Sequence, residues 1–354
     1  MKQHKKTRPV MVGSVQIGGD APVSVQSMTC TKTEDIQLTV EQIQQLHAAG
    51  CEMVRVAVPC EEAARAIESI KKQIRIPLIA DIHFDYRLAI RAIHNGADKI
   101  RINPGNIGSD QRVKEVLKAA KEHHIPVRIG VNSGSLEKDL FNQYGSVCAD
   151  ALVESAMRHI RLCEDFDFED LVISVKASHV PLMIETNRKL SEITDYPIHL
   201  GVTEAGTVRQ GILRSAVGIG TLLAEGIGDT LRVSLTGDPV DEVKAGYDIL
   251  RALEIRKKGI TLISCPTCGR TQVDVVKIAE AVESALAHIE KTLTIAVMGC
   301  AVNGPGEARN ADIGVACGKK SALLFRKGEV IEKINDKDIV PRLLKEIEAW
   351  QESG

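Results

Sequence analysis

Eight short runs of β-branched and aliphatic residues restrict the fold of this chain more than any other feature. A stretch with helical periodicity separates each run from the next, and this alternation predicts parallel βαβ units. Eight consecutive units predict a closed (β/α)8 TIM barrel, of the α/β class, rather than an open doubly wound sheet. No G-x-G-x-x-G sequence follows the first run, which weakens a dinucleotide-binding alternative. The predicted strands are residues 23–28, 53–58, 78–83, 99–103, 127–132, 171–176, 199–204 and 231–235.

The pattern changes after the eighth run. A turn at 236–239 and a charged helical stretch at 240–258 complete the barrel, and a break follows at Gly259. From Thr261 a new order begins, with a strand, a helix over 273–291, strands at 294–298, 312–316 and 322–325, and a helix over 341–351. We therefore expect a barrel domain over residues 1–258 and a smaller α+β domain over 259–354.

Charged and amide residues gather near the carboxyl ends of the predicted strands. In a (β/α)8 barrel this end forms the mouth at which ligands bind. Arginines inside a barrel are costly without partners, and the planar guanidinium suits phosphate. The set therefore predicts a di-anionic or polyphosphate ligand, with these candidate residues: Arg55, Asp81, His83, Arg101, Asn103, Arg128, Asn132, Lys176, Glu204, Arg232 and Ser234.

Each of these candidates also has a simpler interpretation. Any single arginine could pair with an acid inside the barrel, such as Asp81 or Glu204. Asn103 and Asn132 precede glycine-containing turns, which suit phosphate binding or ordinary βα connections. Glu204 is a candidate proton donor or base, or else the ion-pair partner of an arginine. His83 and His179 are weaker candidates, because a lone histidine is more often simply hydrogen-bonded.

Cysteines with ligand spacing occur only in the second predicted domain. Cys265 and Cys268 form a Cys-x-x-Cys pair, Cys300 follows 32 positions later, and Glu307 lies seven residues beyond. Thiolates in this number suit zinc or an iron–sulfur cluster. Cys317 could serve as a fourth thiolate of a structural zinc site, or it could be a buried core residue. Three thiolates with an exchangeable carboxylate would instead leave one iron of a cluster open to substrate.

Composition narrows the possible partners. Aromatic residues make up 3% of the chain and the formal net charge is −2. These values disfavour a stacking surface for nucleic acid and a general electrostatic attraction to nucleic acid or membrane. The basic amino terminus lacks the apolar stretch of a secretory signal, and no apolar run is long enough for a membrane span. Nine scattered cysteines are not a disulfide framework, so the expected location is the cytoplasm.

The two cysteine segments, 264–270 and 298–307, closely resemble those of the bacterial 4-hydroxy-3-methylbut-2-en-1-yl diphosphate synthase family. The resemblance runs almost end to end and is to the compact two-domain form, since residues 237–263 leave no room for an inserted domain. Barrel segments that resemble the same family are 26–29, 54–57, 80–84, 102–106, 128–134, 175–178, 201–206 and 232–236.

The resemblance implies a reaction, a cofactor and an assembly. The reaction is the reductive ring opening and dehydration of 2-C-methyl-D-erythritol 2,4-cyclodiphosphate in isoprenoid biosynthesis. The cofactor is a [4Fe-4S] cluster in the domain 259–354, held by Cys265, Cys268, Cys300 and Glu307. Electrons come from ferredoxin or flavodoxin, and Glu204 is the acid for the departing hydroxyl. The family forms a homodimer in which one subunit's cluster domain covers the partner's barrel mouth.

Two other functions compete with this expectation. The first is an aldolase- or pterin-synthase-like barrel that binds phosphate and carries a structural zinc domain. The second is a non-catalytic iron–sulfur protein, either an electron carrier or a sensor. A carrier or sensor has no need of five cationic barrel residues, and a zinc protein would be colourless.

Overall fold

The computed structural model describes residues 2–257, 259–286, 289, 291–300, 306 and 311–350. The chain divides into two compact units, Met1–Arg256 and Lys257–Gly354. Each unit buries a hydrophobic core of its own, as expected of a domain.

A short antiparallel hairpin opens the first unit. β1 (Val10–Val12) pairs with β2 (Val15–Ile17). The turn contains Gly13, whose φ of +54° favours glycine. The hairpin was not predicted, because three-residue strands show too little periodicity. It packs on buried side chains near the beginnings of three later strands, namely Met53, Ile79 and Val172, and so covers the amino-terminal end of the barrel.

Eight parallel strands form the barrel, which confirms the predicted α/β fold. Their spatial order is β8-β7-β6-β5-β4-β3-β10-β9, and a parallel bridge between Ile173 and Ile198 joins the two ends of this sheet. The strands are β3 (Ser24–Met28), β4 (Met53–Ala57), β5 (Leu78–Asp81), β6 (Lys99–Ile102), β7 (Val127–Asn132), β8 (Leu171–Lys176), β9 (His199–Leu200) and β10 (Thr230–Leu231).

Helices surround these strands and bury their apolar faces against the sheet in one continuous core. Asp35, Asp85 and Asp238 each accept a backbone N–H in the first turn of a helix, which fixes where that helix begins. The helices are α1 (Ile36–Ala48), α2 (Glu61–Lys71), α3 (Tyr86–His94), α4 (Pro104–Ile107), α5 (Asp110–Glu122), α6 (Lys138–Tyr144), α7 (Ala149–Glu164), α8 (Val180–Ile193), α9 (Val208–Ala224) and α10 (Pro239–Ala252).

The last two barrel strands are shorter than predicted. The run 199–204 pairs only over β9, and the run 231–235 only over β10. Gly201 follows β9 at a point where a β-carbon would lie 2.5 Å from Lys176 Nζ. Three residues later Glu204 has a φ of +52°, a left-handed conformation that no strand contains. The backbone therefore leaves the strand ladder where Gly201 lies close to the buried Lys176. The alternation of apolar and polar residues in the sequence does not reveal this close approach.

The described part of the second unit forms a five-stranded mixed sheet with helices packed on it. β11, β12 and β13 are parallel, and β13, β14 and β15 are antiparallel. The strand β15 was not predicted, although the turn Lys327-Gly328 before it has the positive φ values of a tight hairpin. The elements are β11 (Ile260–Ser264), α11 (Val275–Leu286), β12 (Leu293–Met298), β13 (Ile313–Gly318), β14 (Ser321–Arg326), β15 (Glu329–Asn335) and α12 (Ile339–Glu348).

Gly314 should be essential to the packing of this sheet. A β-carbon there would lie 2.3 Å from the Phe325 ring and 2.7 Å from the Ala296 carbonyl oxygen. We expect Gly314→Ala to lower the free energy of unfolding by about 1–3 kcal/mol, because the strand or the ring must move. Gly318→Ala on the same strand is the control, since its nearest new contact would be 3.6 Å. Urea unfolding measures both, and equal stabilities would contradict the packing argument.

Candidate functional site

Five cationic side chains point into the barrel near the carboxyl ends of its strands. Strand register explains their proximity, since Asp81 pairs with Arg101 and Arg101 pairs with Arg128 across three neighbouring strands. Paired residues of parallel strands present their side chains on the same face. The structure therefore brings together most of the predicted set, and these five cations are all at least half-buried: Arg55, Arg101, Arg128, Lys176 and Arg232.

Two of these arginines form ion pairs with Asp81. Its Oδ1 accepts from Arg101 Nη1 at 3.1 Å, and its Oδ2 lies 3.5 Å from Arg55 Nε. His83 is half-exposed, with Nε2 3.9 Å from the same Oδ2. Burial alone would raise the pKa of Asp81, but the charges of Arg55 and Arg101 outweigh it and lower the pKa to about 2. Asp81 is therefore ionised and acts as a counter-ion rather than as an acid.

Arg232 forms an ion pair inside the barrel, which is the simpler interpretation of a single arginine, and its partner is neither Asp81 nor Glu204. Its Nε and Nη2 donate to the two carboxylate oxygens of Glu242, each at 3.2 Å. Glu242 lies in the first turn of α10 and is 3% exposed. It also accepts from Ser27 Oγ and from the Leu235 backbone N–H. The helix after β10 thus fixes the orientation of a mouth arginine.

Arg128 and Lys176 have no such partner. Neither forms an ion pair with any residue that the structure describes, and Arg128 Nε and Nη1 lack hydrogen bonds altogether. Burial lowers the pKa of both groups well below the ordinary values, and the neighbouring cations lower it further. Unpaired charge at 1% exposure is costly. These two side chains are therefore the strongest sign that the mouth binds an anion.

Two glycines make room for these long side chains. A β-carbon on Gly130 would lie 2.4 Å from Arg101 Nε, and one on Gly201 would lie 2.5 Å from Lys176 Nζ. Both distances are too short for any side chain to be tolerated without a shift. Cationic side chains therefore occupy the space that other TIM barrels fill with branched aliphatic residues.

A second polar layer lies deeper in the barrel and was missed by the sequence analysis. Lys99, His199 and Gln26 are fully buried. Lys99 Nζ, His199 Nε2 and both amide atoms of Gln26 have no hydrogen-bond partner in the part of the chain that is described. Burial lowers the pKa of Lys99 and of His199 well below the ordinary values. Lys99 lies two positions before Arg101, so period-two alternation could have placed both on the inner face.

The contacts of the remaining predicted residues differ from one residue to the next. Asn103 caps α4 through the Gly105 N–H and donates to Ser135 Oγ, which is ordinary βα turn chemistry. With its amide oxygen turned toward Arg101, Asn132 accepts from Nη2 at 3.3 Å. Ser234 is half-buried beyond the end of β10. His179, a weaker candidate, caps α8.

Glu204 differs from the other carboxylates of the mouth. It is exposed and forms no hydrogen bond or ion pair with any described residue, so the arginine partnership considered for it is not observed. Its φ of +52° lies in the left-handed region, which costs a non-glycine residue about 1 kcal/mol or more. Such strain is concentrated at functional positions in proteins.

The cysteine loops of the second unit follow two neighbouring parallel strands. Cys265 comes directly after β11 and Cys300 two residues after β12, with Ser264 in register with Val297. The Gly299 N–H donates to Cys265 Sγ at 3.0 Å, so the two loops are in contact. A β-carbon on Gly299 would lie 3.0 Å from Thr271 Cγ2, which leaves little space for a larger residue.

The chemistry of these donors suits a thiolate-bound metal group. Hydrogen bonds from the Arg270 backbone, together with its side chain, lower the pKa of the exposed Cys268. Cys317 is fully buried in the core, and burial raises its pKa to about 11, which fits the core interpretation better than a ligand role. Within the described residues no group of three His, Cys, Asp or Glu side chains is close enough to hold a metal ion. Glu307, the fourth predicted ligand, lies outside those residues.

Known protein families match both units of this chain. The GcpE TIM-barrel domain matches residues 7–247, and the GcpE protein C-terminal domain matches residues 261–349. The chain belongs to the GcpE family. The predicted resemblance is therefore confirmed, since curated relatives carry the name of the synthase family identified from the motifs.

Three GcpE relatives illustrate the similarity. Proteins of Clostridium tetani, Caldanaerobacter subterraneus and Clostridium perfringens are 58%, 57% and 59% identical to this chain. The matches cover 97%, 98% and 97% of this chain and 98%, 98% and 99% of those proteins. Each is named 4-hydroxy-3-methylbut-2-en-1-yl diphosphate synthase (flavodoxin).

Solved structures confirm the barrel alone. Dihydropteroate synthases of Yersinia pestis and Stenotrophomonas maltophilia match with TM-scores of 0.51 and 0.52, at 13% and 16% identity. Each match covers 70% of this chain, and 97% and 98% of those structures. Because the GcpE family covers both units, the pterin-synthase-like alternative is not favoured. None of the described helices has the length and hydropathy needed to cross a bilayer.

The unpaired cations of this GcpE barrel predict that a simple diphosphate will stabilise the protein. Inorganic pyrophosphate at one hundred times its dissociation constant should add about 2.7 kcal/mol to the free energy of unfolding. Arg128→Met keeps the length of the side chain and removes its charge, so the stabilisation should fall by at least half. Thermal unfolding with and without pyrophosphate measures the effect.

Arg158→Met is the matched control, since Arg158 lies on the surface and pairs with Asp139 and Glu154. It should respond to pyrophosphate as the unmodified protein does. An equal response in Arg128→Met would show that Arg128 is only a structural residue of the barrel.

Proposed function

We propose that this chain converts 2-C-methyl-D-erythritol 2,4-cyclodiphosphate into 4-hydroxy-3-methylbut-2-enyl diphosphate. In this reaction two electrons and two protons enter, one carbon–oxygen bond of the ring opens, and one water leaves. The observation that carries the proposal is a pair of buried cations, Arg128 and Lys176, that have no ion-pair partner among the described residues of this GcpE barrel. The names of the close relatives supply the identity of the diphosphate.

The first unit binds and orients the substrate. Arg128 and Lys176 contact the diphosphate, because a bound phosphate supplies the negative charge that the protein does not. Arg55 and Arg101 are already held by Asp81, so they present their remaining N–H donors in fixed directions. Arg232 is fixed in the same way by Glu242. A mouth that is arranged before binding loses less side-chain entropy when the ligand arrives.

Glu204 is the proposed proton donor for the departing hydroxyl. Its carboxylate is exposed and has no ion-pair partner among the described residues, so it is free to approach a ligand in the mouth. The left-handed backbone supports this role, since it sets Glu204 apart from the ladder that buries its neighbours. Asp81 is unsuited to the role because its pKa is lowered to about 2.

The second unit, residues 259–354, is the proposed site of a [4Fe-4S] cluster. Cys265, Cys268 and Cys300 would hold it with Glu307, and the Gly299 N–H would remain bonded to the Cys265 sulfur. When bound, the cluster would supply the electrons for the reduction. No disulfide involves Cys30, Cys51, Cys60, Cys148, Cys163, Cys265, Cys268 or Cys317, which favours the reducing cytoplasm.

We further propose a homodimer in which the cluster domain of one subunit covers the barrel mouth of its partner. Flavodoxin is the proposed electron donor, because the relatives' names specify it. Ferredoxin is the other donor class that the resemblance implied. Neither nucleic acid nor a membrane has a role in the proposal.

The cluster assignment is tested by metal content. Protein purified without oxygen should be brown and contain about four irons per chain. Cys300→Ala should lose the iron, whereas Cys317→Ala should keep it, because the Cys317 side chain is buried in the hydrophobic core. Iron and zinc analysis with visible absorption measures this. A colourless protein that contains zinc would contradict the proposed function.

The role of Glu204 is tested by separating binding from turnover. Glu204→Gln keeps the size of the side chain and removes the ionisable proton. Turnover should fall by about 10²–10⁴-fold, while stabilisation by the cyclodiphosphate should be unchanged in thermal unfolding. Normal turnover would remove Glu204 from the mechanism, and a loss of binding would make it a substrate ligand instead.

A further inference from the structure

A groove of about 600 Å³ lies on the surface of the second unit. We call it the basic groove, because Lys277, Lys319, Lys320 and Lys337 line it and Asp274 is the acid among its lining residues. Lys277 is exposed and pairs with Asp274 at 3.1 Å. Lys319 and Lys320 are exposed and form no hydrogen bond or ion pair with any described residue.

Other cations of this unit have hydrogen-bond or ion-pair partners within the protein. Arg326 pairs with Glu346, and Arg342 pairs with both Glu332 and Glu346. Lys291 donates to three backbone carbonyls near the end of α12. Cations on this surface are thus commonly paired within the protein, whereas Lys319 and Lys320 of the groove have no partner among the described residues and face solvent. The formal charge of the whole chain is −2, so the groove is a local concentration of positive charge.

The backbone at one of these lysines is strained. Lys319 and Lys320 are the two residues that connect β13 to β14, in a turn closed by the pairing of Gly318 with Ser321. Lys320 has a φ of +58°, a position at which glycine or asparagine is preferred in tight hairpins. A lysine there costs stability that glycine would not. Such a cost is understandable when the charge has a function outside the fold.

One wall of the groove belongs to the cysteine loop. Gln272 lines the groove, and it follows Cys268 by four residues. The Gln272 N–H donates to the Gly299 carbonyl oxygen at 2.9 Å, and Gly299 directly precedes Cys300. A molecule in the groove therefore rests on the same loops that carry the proposed cluster ligands.

We propose that the basic groove is the docking site of an acidic electron-carrier protein of the flavodoxin class. This inference rests on the proposed function, which requires a protein donor to reach the cysteine loops. Charge complementarity supports it, since exposed lysines steer an acidic partner and hold it without deep burial. Val273 and Ile278 give the groove an apolar floor, as expected of a transient protein interface.

The test compares two electron sources in the holoenzyme. Lys319→Gln/Lys320→Gln should lower kcat/KM for a reduced bacterial flavodoxin by about five- to tenfold at low salt. The difference should shrink to less than about twofold at high salt, where charges are screened. Turnover driven by chemically reduced methyl viologen should not change, because a small reductant does not need the groove.

Two further variants separate docking from folding and from net charge. Lys320→Gly removes one charge together with the left-handed strain, so it should be at least as stable as the unmodified protein while its flavodoxin-driven kcat/KM falls. Lys333→Gln/Lys345→Gln removes two exposed charges of the same unit that do not line the groove. It should leave flavodoxin-driven turnover unchanged.

Each failure has a distinct signature. An unchanged flavodoxin-driven kcat/KM in Lys319→Gln/Lys320→Gln, with methyl viologen turnover intact, overturns the docking site. An equal loss in Lys333→Gln/Lys345→Gln overturns it as well, because the effect then comes from net charge. If the unmodified holoenzyme shows no turnover with methyl viologen, the proposed function fails instead. Calorimetric binding of oxidised flavodoxin to the same variants then tests the groove alone.

Discussion

The structure of the barrel depends on an excess of positive charge inside a closed sheet. Asp81 and Glu242 hold three arginines through ion pairs, and Arg128 and Lys176 have no counter-charge in the part of the chain that the structure describes. An interior of this kind is less stable than one filled with aliphatic side chains. Under the proposed function, a bound diphosphate would complete the ion pairs and restore this stability. Affinity for diphosphate and weakness of the empty barrel would then be two effects of the same residues.

The sequence predicted the barrel because its outer face obeys simple rules. Runs of valine and isoleucine at regular intervals give eight strands, and these pack on amphipathic helices in one core. The inner face is harder to predict, because its contacts join residues of different strands and helices. Arg232 was identified as a candidate, but its partner Glu242 lies on the following helix and resembles an ordinary first-turn acid. Lys99 and His199 lie at the beginnings of their strands, away from the carboxyl ends where a barrel ligand is expected.

The second unit shows where spacing is informative and where it is not. Cys-x-x-Cys and a later cysteine indicated a thiolate site, and the parallel pairing of β11 with β12 brings the two loops into contact. The same spacing left the role of Cys317 open, because only burial distinguishes a core thiol from a ligand. The groove lysines are far apart in sequence, at 277, 319, 320 and 337, and no local pattern connects them. Tertiary structure alone gathers them beside the cysteine loop.

The small hairpin at the amino terminus gives the barrel a floor. Val10, Val12 and Ile17 pack against Met53, Ile79 and Val172, so apolar side chains cover the end opposite the mouth. The barrel therefore resembles a cup rather than a tube, and solvent meets the buried cations from the rim. Whatever covers the rim sets the local dielectric for all of them at once. A lid over this cup would strengthen every contact to a bound phosphate without altering a single residue inside.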